Sequence, residues 1–514
     1  MEKFPWWTDF QRKLADEVEE FADEYMPRAI EAVWTRKFPW DIIKAIGEKG
    51  WLGATIPEKY GGMYEKSKIT GACIIAEGMG RLSSMVASYY NTTMFGGCYQ
   101  IAKFGTEEQK ERWLPKMAEG KLCGAICLTE PFVGSDAAAV ETVAIRDGNE
   151  YIINGKKRFI SNSGIADIYL VYARTSDDPK DRENYRHLTA FVVEKGTPGL
   201  RVEKINELGV ADGVRNGYLD LDNVRVPAEN VIGGEGNGWL VMISGLNFER
   251  LLLSAGLLGG MKEALRMALY VTRRRVQFGR RTIEFQTNQL RIADITMWYK
   301  LSRLIVYYGS YLLDQGREPI LESTIAKIFT SEMCQRIGTD AVLCMGGDGL
   351  TKFYFVEMVH REGLFMQIGA GTNDVLRILL ARMVRRLLGD EVKEPRRRIS
   401  EKYGIPLNVY KREQLKPKFE STDPEDLVLE ALAEDYRVNP GLYMLREDIE
   451  EDTGIKGDKL DEILESLERK RYVKLYREKG KIRMAKATYI GLRKIKPLEY
   501  YQWFPDWVEK GIEF

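Results

Sequence analysis

The 514-residue sequence contains only two histidines, His187 and His360. Zinc sites and Ser-His-Asp triads both depend on histidine side chains. Two histidines far apart in the chain are too few side chains for either kind of site. We therefore expect no histidine-based metal site and no hydrolytic triad.

Paired cysteines, long apolar runs and net charge are also missing. The six cysteines include no Cys-x-x-Cys pair and lie in otherwise apolar segments, which indicates reduced core thiols in a cytoplasmic protein. No run of about 18 apolar residues occurs, and the first seven residues resemble neither a signal peptide nor a transit peptide, so we expect no membrane span. Basic and acidic residues number 76 each, so net charge gives no argument for nucleic acid or an anionic membrane as partner.

Hydrophobic periodicity divides the first 390 residues into three regions. A chain of 514 residues is too long for one ordinary domain. Residues 1–120 show amphipathic helical spacing, with helices expected at 10–32, 68–79 and 106–117, the last opened by a Thr106 and Gln109 capping box. Residues 121–235 form a β-domain, with β-branched and aromatic runs at 151–153, 168–172, 188–193 and 217–221. Residues 236–390 predict a four-helix bundle, with helices at 239–274, 287–315, 319–345 and 373–388.

The last 120-odd residues follow a different pattern. Residues 391–424 are charged and contain prolines, as in a linker, and residues 425–496 resemble a winged helix-turn-helix. In that unit we predict helices at 425–433, 445–453 and 459–470, then strands at 472–476 and 481–485. Residues 497–514 form an aromatic tail that includes Trp503, Phe504 and Trp507.

Three motifs carry the strongest functional signal. Leu128-Thr129-Glu130-Pro131, followed by Gly134-Ser135-Asp136, and Phe159-Ile160-Ser161-Asn162 both lie in the β-domain, and Ile368-Gly369-Ala370-Gly371-Thr372 lies in the second helical region. These motifs resemble the acyl-CoA dehydrogenases, flavin enzymes that remove a proton and a hydride from adjacent carbons of an acyl thioester. The resemblance covers about residues 5–390. It implies an α+β protein with a helical domain, a β-domain and a four-helix bundle, to which this chain adds the winged-helix-like unit.

The resemblance implies FAD as cofactor. Backbone N–H groups of the first loop would bond the flavin edge where negative charge develops, and its glycine lets the backbone come close. Phe159 replaces the usual tryptophan over the flavin, and Ser161 replaces the usual threonine, whereas Thr129 or Ser161 taken alone would be an ordinary turn hydroxyl. The residues assigned to FAD are Ile126, Leu128, Thr129, Gly134, Ser135, Phe159, Ile160, Ser161, Arg275, Gln277, Phe278, Phe285, Gln286, Leu343, Gly346, Gly347, Thr372 and Asn373.

The residues from Arg275 to Gln286 correspond to those that hold the flavin of a neighbouring subunit. The resemblance therefore implies an obligate oligomer, a homotetramer or a homodimer. Some of the arginines in this basic stretch must belong to a solvated face. Leu343 departs from the pattern, because the family commonly has glutamine there, and an amide contact to the flavin is lost.

The catalytic carboxylate of most family members would stand at position 370, where this chain has Ala370. A minority, of the isovaleryl-CoA dehydrogenase pattern, has Gly-Ala-Gly-Thr in this loop and carries its glutamate on an earlier helix beside an arginine. Glu249, followed by Arg250, stands at that place among leucines and a phenylalanine, a setting that raises a carboxylate pKa. The alternative is an ordinary helix glutamate paired with a basic neighbour, although Arg250 is adjacent and cannot face it.

The resemblance also assigns the substrate site. The backbone N–H of Ala370 would hold the thioester carbonyl, which acidifies the α-proton. Gly369 replaces a tyrosine-like residue and implies room for a short or branched acyl group, unless it only relieves a tight loop. The residues assigned to acyl-CoA are Ser135, Asn247, Arg250, Gly369 and Gly371. The resemblance also implies a role in fatty acid or amino acid catabolism, with an electron-transferring flavoprotein as electron acceptor.

Two other classes of function stay open. A catalytically divergent relative could bind nucleic acid or a protein through the winged-helix-like unit. Its expected groove-entering helix carries Asp458, Asp461, Glu462, Glu465 and Glu468, which phosphates would repel, so nucleic acid is disfavoured against a protein partner. An acyl-CoA oxidase would pass electrons to oxygen, and nothing in the sequence separates it from a dehydrogenase.

Overall fold

The computed structural model describes residues 3–392, 419–438 and 442–501. The chain divides into two compact units, Met1–Arg386 and Leu387–Phe514. Most of the expected linker at 391–424 lies outside the described residues. So do Trp503, Phe504 and Trp507 of the expected aromatic tail.

Six helices make up the amino-terminal region of the first unit. They are α1 Asp9–Thr35, α2 Trp40–Glu48, α3 Tyr64–Leu82, α4 Ser84–Thr93, α5 Tyr99–Phe104 and α6 Glu107–Ala118. The capping box expected at the start of α6 is confirmed, since Gln109 N donates to Thr106 Oγ1 at 3.3 Å and Thr106 N donates to Gln109 Oε1 at 2.8 Å. Helix α3 is kinked at Lys68, which has a φ of 54°, so the helix expected from residue 68 is its second segment.

A mixed sheet forms the middle region. Its strands are β1 Gly124–Cys127, β2 Val143–Asp147, β3 Glu150–Ser161, β4 Ile168–Arg174, β5 Leu188–Glu194, β6 Leu200–Ile205, β7 Asn216–Pro227 and β8 Val231–Ile232, with a short helix α7 Pro179–Glu183 between β4 and β5. The order is β6-β7-β3-β2-β4-β5-β8, and β1 pairs in parallel with β4. Strands β4 and β5 are buried on both faces, which explains their continuous apolar runs. All four expected strands are confirmed.

Five helices follow the sheet. They are α8 Gly238–Thr272, α9 Gln286–Asp314, α10 Ile320–Met345, α11 Val356–Ile368 and α12 Asn373–Val392. Helix α10 packs against α8, α9 and α11. Helix α11, which runs unbroken through Gly363, was not expected from the sequence. That glycine is needed because a Cβ there would lie 2.3 Å from Gln335 N on α10.

Helix α8 is the central element of the first unit. Among the described residues it alone is long and apolar enough to cross a membrane by length and composition, although 67% of its most apolar stretch is buried inside the protein. It crosses α3 at very short range, because a Cβ on Gly80 would lie 1.7 Å from the carbonyl oxygen of Gly256. Burial against α3, α9, α10 and α11 accounts for its apolar sequence.

Beyond α12, the described part of the second unit contains helix Pro424–Val438. It continues with strand Met444–Leu445, helices Arg446–Thr453 and Asp458–Arg469, strands Val473–Glu478 and Lys481–Ala487, and helix Tyr489–Ile495. The three strands form one antiparallel sheet with Lys481–Ala487 in the middle. The three helices and the hairpin lie close to their expected positions, whereas the two-residue strand is too short to leave a sequence pattern. The assignment to a winged helix-turn-helix stays a prediction.

Candidate active site

Glu249 lies about a third of the way along α8, and most of its side chain is buried. Burial among apolar neighbours raises the pKa of Glu249 to about 7, and the positive charges of Arg250 and Lys327 only partly oppose this. Tyr172 on β4 lies close enough to interact with the Glu249 carboxylate. Burial and then the negative charge of Glu249 raise the pKa of the Tyr172 phenol. The carboxyl group is therefore poised to exchange a proton near neutral pH.

Asn247 and Arg250 lie on the face of α8 that packs against α10. Asn247 Nδ2 donates to Glu318 Oε2 at 2.8 Å and its Oδ1 accepts from Ser323 at 2.8 Å, so its amide is fixed in orientation. Arg250 is 6% exposed and donates from Nη1 to Thr324 at 3.4 Å. Its Nε has no hydrogen-bond partner within the described part of the chain, which leaves a buried donor free for a ligand.

Residues 369–373, the segment between α11 and α12 together with the first residue of α12, are named the active-site loop. Ala370 and Gly371 have φ values of 56° and 85°, so two successive residues adopt the left-handed conformation. Gly369 has φ −62° and ψ 154°, which any residue adopts, and a Cβ there would meet its nearest atoms at 3.8 Å. The loop thus requires a glycine at 371 and does not require one at 369.

A lysine absent from the sequence prediction ties this loop to α10. Lys327 is 2% exposed and donates from Nζ to Gly371 O at 2.7 Å and to Asn373 Oδ1 at 2.8 Å. Thr372 accepts from Val375 N at 3.3 Å and so begins α12. Glu249, Arg250 and the active-site loop therefore all approach Lys327.

Two other buried glutamates are already paired. Glu77 accepts from Arg303 Nε at 3.0 Å and from Tyr307 at 2.6 Å. Glu130 accepts from Lys157 Nζ at 2.7 Å; burial alone would raise its pKa, but the charge and hydrogen bond of Lys157 lower it. Both carboxylates are buried and held by cations, so neither has the free oxygen and open access that a general base for carbon acids needs.

The two expected flavin loops lie side by side at the ends of β1 and β3. Arg158 N donates to Thr129 O at 2.8 Å, and Lys157 Nζ donates to Leu128 O at 3.3 Å. Asn162 Nδ2 donates to Gly124 O at 2.9 Å and closes the arrangement from the far end of β3. Hydrogen bonds thus bring the 126–135 and 159–161 segments together.

The surface beside these loops is open and apolar. Phe159 is 47% exposed and has a φ of 57°, so a large ring is held outward by strained backbone. Gly134 and Ser135 are exposed, and a Cβ on Gly134 would meet nothing within 4 Å. Ile126 and Ile160 lie behind them on β1 and β3. The arrangement offers an aromatic face and accessible backbone N–H groups, as a planar ring cofactor needs.

A separate group of the assigned residues lies on the helical region. A two-stranded hairpin of Val276–Gln277 and Arg280–Arg281 follows α8, and Phe278 at its tip is 94% exposed. Arg275 lies 3.6 Å from Asp348 in an ion pair, which brings this hairpin to the turn that holds Gly346 and Gly347. The group also includes Leu343 on α10, which is 52% exposed, Phe285 directly before α9 and Gln286, the first residue of α9.

A cavity opens beside the first turns of α8. Its volume is about 430 Å³, and its lining includes Tyr185, Arg186, Trp239, Leu240 and Ile243. The rings of Tyr185 and Trp239 are stacked with centroids 4.7 Å apart. Since Ile243 precedes Glu249 by under two turns of helix, the cavity lies along the same helix as the carboxylate.

Comparison with known proteins gives three consecutive matches. Residues 8–121, 125–224 and 236–385 match the family models described as acyl-CoA dehydrogenase N-terminal, middle and C-terminal domains. An acyl-CoA dehydrogenase of Bacillus subtilis (strain 168) is 34% identical over 73% of this chain and 98% of its own length.

The chain belongs to the acyl-CoA dehydrogenase family.

A mitochondrial isovaleryl-CoA dehydrogenase of Oryza sativa subsp. japonica is 34% identical over 73% of this chain and 91% of its own length. The structure of butyryl-CoA dehydrogenase from Megasphaera elsdenii superposes with a TM-score of 0.71 at 31% identity, over 75% of this chain and 100% of that one. Acyl-CoA dehydrogenases act on the CH–CH group of acyl-CoA thioesters and use FAD. The exposed Phe159 and the open glycines fit that cofactor.

Sequence analysis missed Lys157 and Lys327, which hold the loops of this acyl-CoA dehydrogenase. Lys157 stands at an inward position of β3 and Lys327 lies between Ala326 and Ile328 on α10. A single lysine among the regularly spaced apolar residues of a helix or strand would have indicated a buried lysine with polar partners. Charged residues are almost never fully buried unless they have partners.

Proposed function

We propose that Glu249 is the catalytic base of this FAD-dependent acyl-CoA dehydrogenase, and that Ala370 N–H donates to the thioester carbonyl. The observation that supports this is the raised pKa of Glu249, about 7, beside the same Lys327 that holds the active-site loop. Glu77 and Glu130 are held in ion pairs, and position 370 carries no carboxylate. Burial also raises the pKa of Glu362 on α11 to about 7, but that carboxyl accepts a hydrogen bond from Ser84, so Glu249 is the better candidate.

The residues of the chain divide the reaction between them. Ala370 N–H polarises the carbonyl, so charge that develops on its oxygen when the α-proton leaves is stabilised by a fixed donor. Glu249 accepts that proton, and its raised pKa makes it a strong enough base near neutral pH. FAD, when bound, would supply the acceptor for the hydride that leaves the β-carbon, and a double bond would then join the α- and β-carbons.

The test of this assignment is Glu249→Gln, which keeps the shape of the side chain and removes the base. FAD and acyl-CoA binding should persist, whereas anaerobic flavin reduction by acyl-CoA, followed by stopped-flow absorbance, should slow by about 10² or more. Glu48→Gln, which changes a surface carboxylate paired with Lys44 on α2, is the control for loss of one negative charge. Near-normal reduction in the Glu249 variant would move the base elsewhere.

A relocation variant makes the test more demanding. Glu249→Gln combined with Ala370→Glu places the carboxylate where most of the family would have it. Part of the lost reduction rate should return, because both positions reach the same proton in the proposed geometry. Loss of FAD from this double variant would instead mean that the strained backbone at Ala370 does not accept the larger residue.

We propose a short or branched acyl group as substrate. The backbone at Gly369 does not require glycine, and Cβ space is open there, so the missing side chain leaves room rather than relieving strain. Ser135, Asn247 and Arg250 are proposed to meet the CoA arm, with Gly371 lining the thioester. Arg250 Nε, buried and without a partner in the described residues, suits such a contact.

The cavity at the start of α8 is proposed to receive the nucleotide end of CoA. Arg186 supplies a positive charge at its wall, and the stacked rings of Tyr185 and Trp239 supply an aromatic surface. An electron-transferring flavoprotein is the proposed electron acceptor. Air reoxidation of the reduced flavin on the timescale of turnover would point to an oxidase instead.

We further propose a homo-oligomer, a tetramer or a dimer. Helix α9 exposes Leu290, Met297, Leu301, Leu304 and Tyr308 at spacings of seven, four, three and four residues. These spacings place all five on one helical face, and a contiguous apolar face of that kind marks an interface. The exposed Phe278 hairpin is proposed to reach the FAD of the neighbouring subunit.

For the second unit we propose a protein-docking role in the cytoplasm rather than nucleic-acid binding. Helix Asp458–Arg469 begins with Asp458 and Asp461 and is acidic over its exposed face, which phosphates would repel. The buried, unpaired cysteines of the first unit suit a reducing compartment.

A further inference from the structure

A buried lysine on α10 lies where the active-site loop meets α8. Lys327 Nζ donates to Gly371 O at 2.7 Å, to Asn373 Oδ1 at 2.8 Å and to Gln367 O at 3.4 Å. The side chain is 2% exposed, so water does not compete for these bonds. All three partners are acceptors on or beside the active-site loop.

The hydrogen-bond pattern bears on the charge state of Lys327. Burial, followed by the nearby Arg250, lowers the pKa of Lys327 to about 7, although Glu249 and Glu332 act in the opposite direction. Three acceptors surround Nζ, and an ammonium group offers three N–H donors, whereas a neutral amine offers only two and presents a lone pair to the third acceptor. The geometry therefore favours the charged form, and a positive charge faces Glu249.

The loop needs such an anchor. Ala370 and Gly371 are both in the left-handed region, and a non-glycine residue there is held in place only by its surroundings. Asn373 is fixed in turn, because its Nδ2 donates to Ser331 at 3.0 Å and to Glu332 at 3.0 Å. Lys327 thus joins the carbonyl of Gly371 to a rigid network on α10.

We propose that Lys327 is a positioning residue for dehydrogenation, which fixes the direction in which Ala370 N–H meets the thioester carbonyl. The inference rests on the proposed role of Ala370. Lys327 bonds the carbonyl oxygens of Gln367 and Gly371, which lie on the peptides 367–368 and 371–372, so the Gly369–Ala370 peptide that carries the Ala370 N–H is restrained from both sides while these bonds persist. The donor is then preorganised before substrate arrives, as a catalytic hydrogen bond requires.

The test measures the carbonyl itself. The variant Lys327→Met removes the donors and keeps the length of the chain, and Lys262→Met, which removes a half-buried lysine paired with Glu19 on α8, is the matched control. Isotope-edited infrared spectra of bound 13C-carbonyl enoyl-CoA report the hydrogen bond to the thioester oxygen directly. In Lys327→Met the C=O band should move back toward its frequency in free enoyl-CoA, and flavin reduction should slow by roughly 10–100-fold, with kcat changed more than KM.

Lys262→Met should leave both the band and the rate as in wild type. Should Lys327→Met not fold, Lys327→Gln, which is polar but too short to reach Gly371 O, should show the same displaced band. A wild-type band in whichever Lys327 variant folds would overturn the inference.

The failure of this inference differs from failure of the catalytic assignment. If wild-type protein does not shift the carbonyl band at all, or if Glu249→Gln reduces flavin normally, the proposed function fails. If wild type shifts the band and Glu249→Gln is slow, while the Lys327 variants match wild type, only the role of Lys327 is wrong.

Discussion

Three ionisable side chains interact with Glu249, namely two cations and one phenol. Arg250 is its neighbour on α8, Lys327 faces it from α10 and Tyr172 faces it from β4. Burial raises its pKa to about 7 because desolvation outweighs the two cations. A carboxylate of this kind is mostly protonated in mildly acidic solution.

The pH dependence of flavin reduction follows from that pKa. Only deprotonated Glu249 can accept the α-proton, so the second-order rate constant at low acyl-CoA should fall about tenfold per pH unit below about pH 7 and level off above it. Low substrate concentration reports the free enzyme, before the substrate displaces more water. Stopped-flow reduction from pH 5.5 to 8.5 measures the profile. A profile without this acidic limb, or an equal limb in Glu249→Gln, would contradict the assignment.

Gly369 sets the volume beside the acyl chain in the proposed site. Gly369→Tyr should depress turnover of branched acyl-CoAs much more than that of straight short ones, because overpacking costs roughly 1–3 kcal/mol and acts on the substrate that fills the space. Comparing kcat/KM for isomeric branched and straight substrates gives the ratio. Gly209→Ala, at a site with open Cβ space, is a control for removal of a glycine. Equal losses on both substrates would assign Gly369 to the loop backbone.

The residues that could be foreseen from sequence were those with a motif around them. Glu249 and Ala370 follow from paired positions in a family pattern. Lys327 and Lys157 belong to no such motif; their position among apolar residues indicates a buried lysine, but their partners are mostly backbone carbonyl oxygens, which residue identity does not reveal. The close helix crossing at Gly80 is equally invisible until both helices are placed.

At the scale of elements, a buried ion pair joins the first flavin loop to β3 and β4. Lys157 donates to Glu130 Oε1 at 2.7 Å and to Tyr172 O at 2.7 Å, while Glu130 also accepts from the backbone N–H of Thr142 at 3.0 Å. The pair therefore fixes the loop that precedes Gly134. Removing one partner leaves an uncompensated charge in the sheet.

Lys157→Met should therefore lower the free energy of unfolding by about 3–5 kcal/mol and release FAD. The adjacent Lys156 pairs with Glu203 at 2.9 Å on the surface, where water screens the pair, so Lys156→Met should lower the free energy of unfolding far less. Chemical denaturation and retained flavin absorbance measure both. Lys157→Met with Glu130→Gln should recover part of the loss, and equal behaviour of the two single lysine variants would argue against the account.

Helix boundaries were foreseen to within a few residues where the apolar period is long, as in α8, α9 and α10. Helix α11 was not expected because its apolar residues show no clear helical spacing, and it is held mainly by packing against α10. Short elements gain their stability from tertiary contacts, which a single sequence does not display.

At the scale of the whole molecule, the exposed face of α9 predicts assembly. Leu301→Glu places a charge in the middle of that face and should shift the protein toward smaller species in sedimentation velocity. Gln289→Glu, at an exposed polar position of the same helix, should not. FAD occupancy should fall along with assembly if the Phe278 hairpin serves a neighbouring subunit. An unchanged sedimentation coefficient would assign the interface to another surface.

Helix α8 also sets the register of the site along its axis. From Leu240 in the cavity wall to Glu249 the helix rises by about 14 Å, at ~1.5 Å per residue, with no turn between them. One residue inserted within this span would rotate everything beyond it by about 100° and turn the carboxylate away from the loop. Gain or loss of a single residue between Leu240 and Glu249 should therefore abolish catalysis, whereas a substitution in the same span keeps the carboxylate in register.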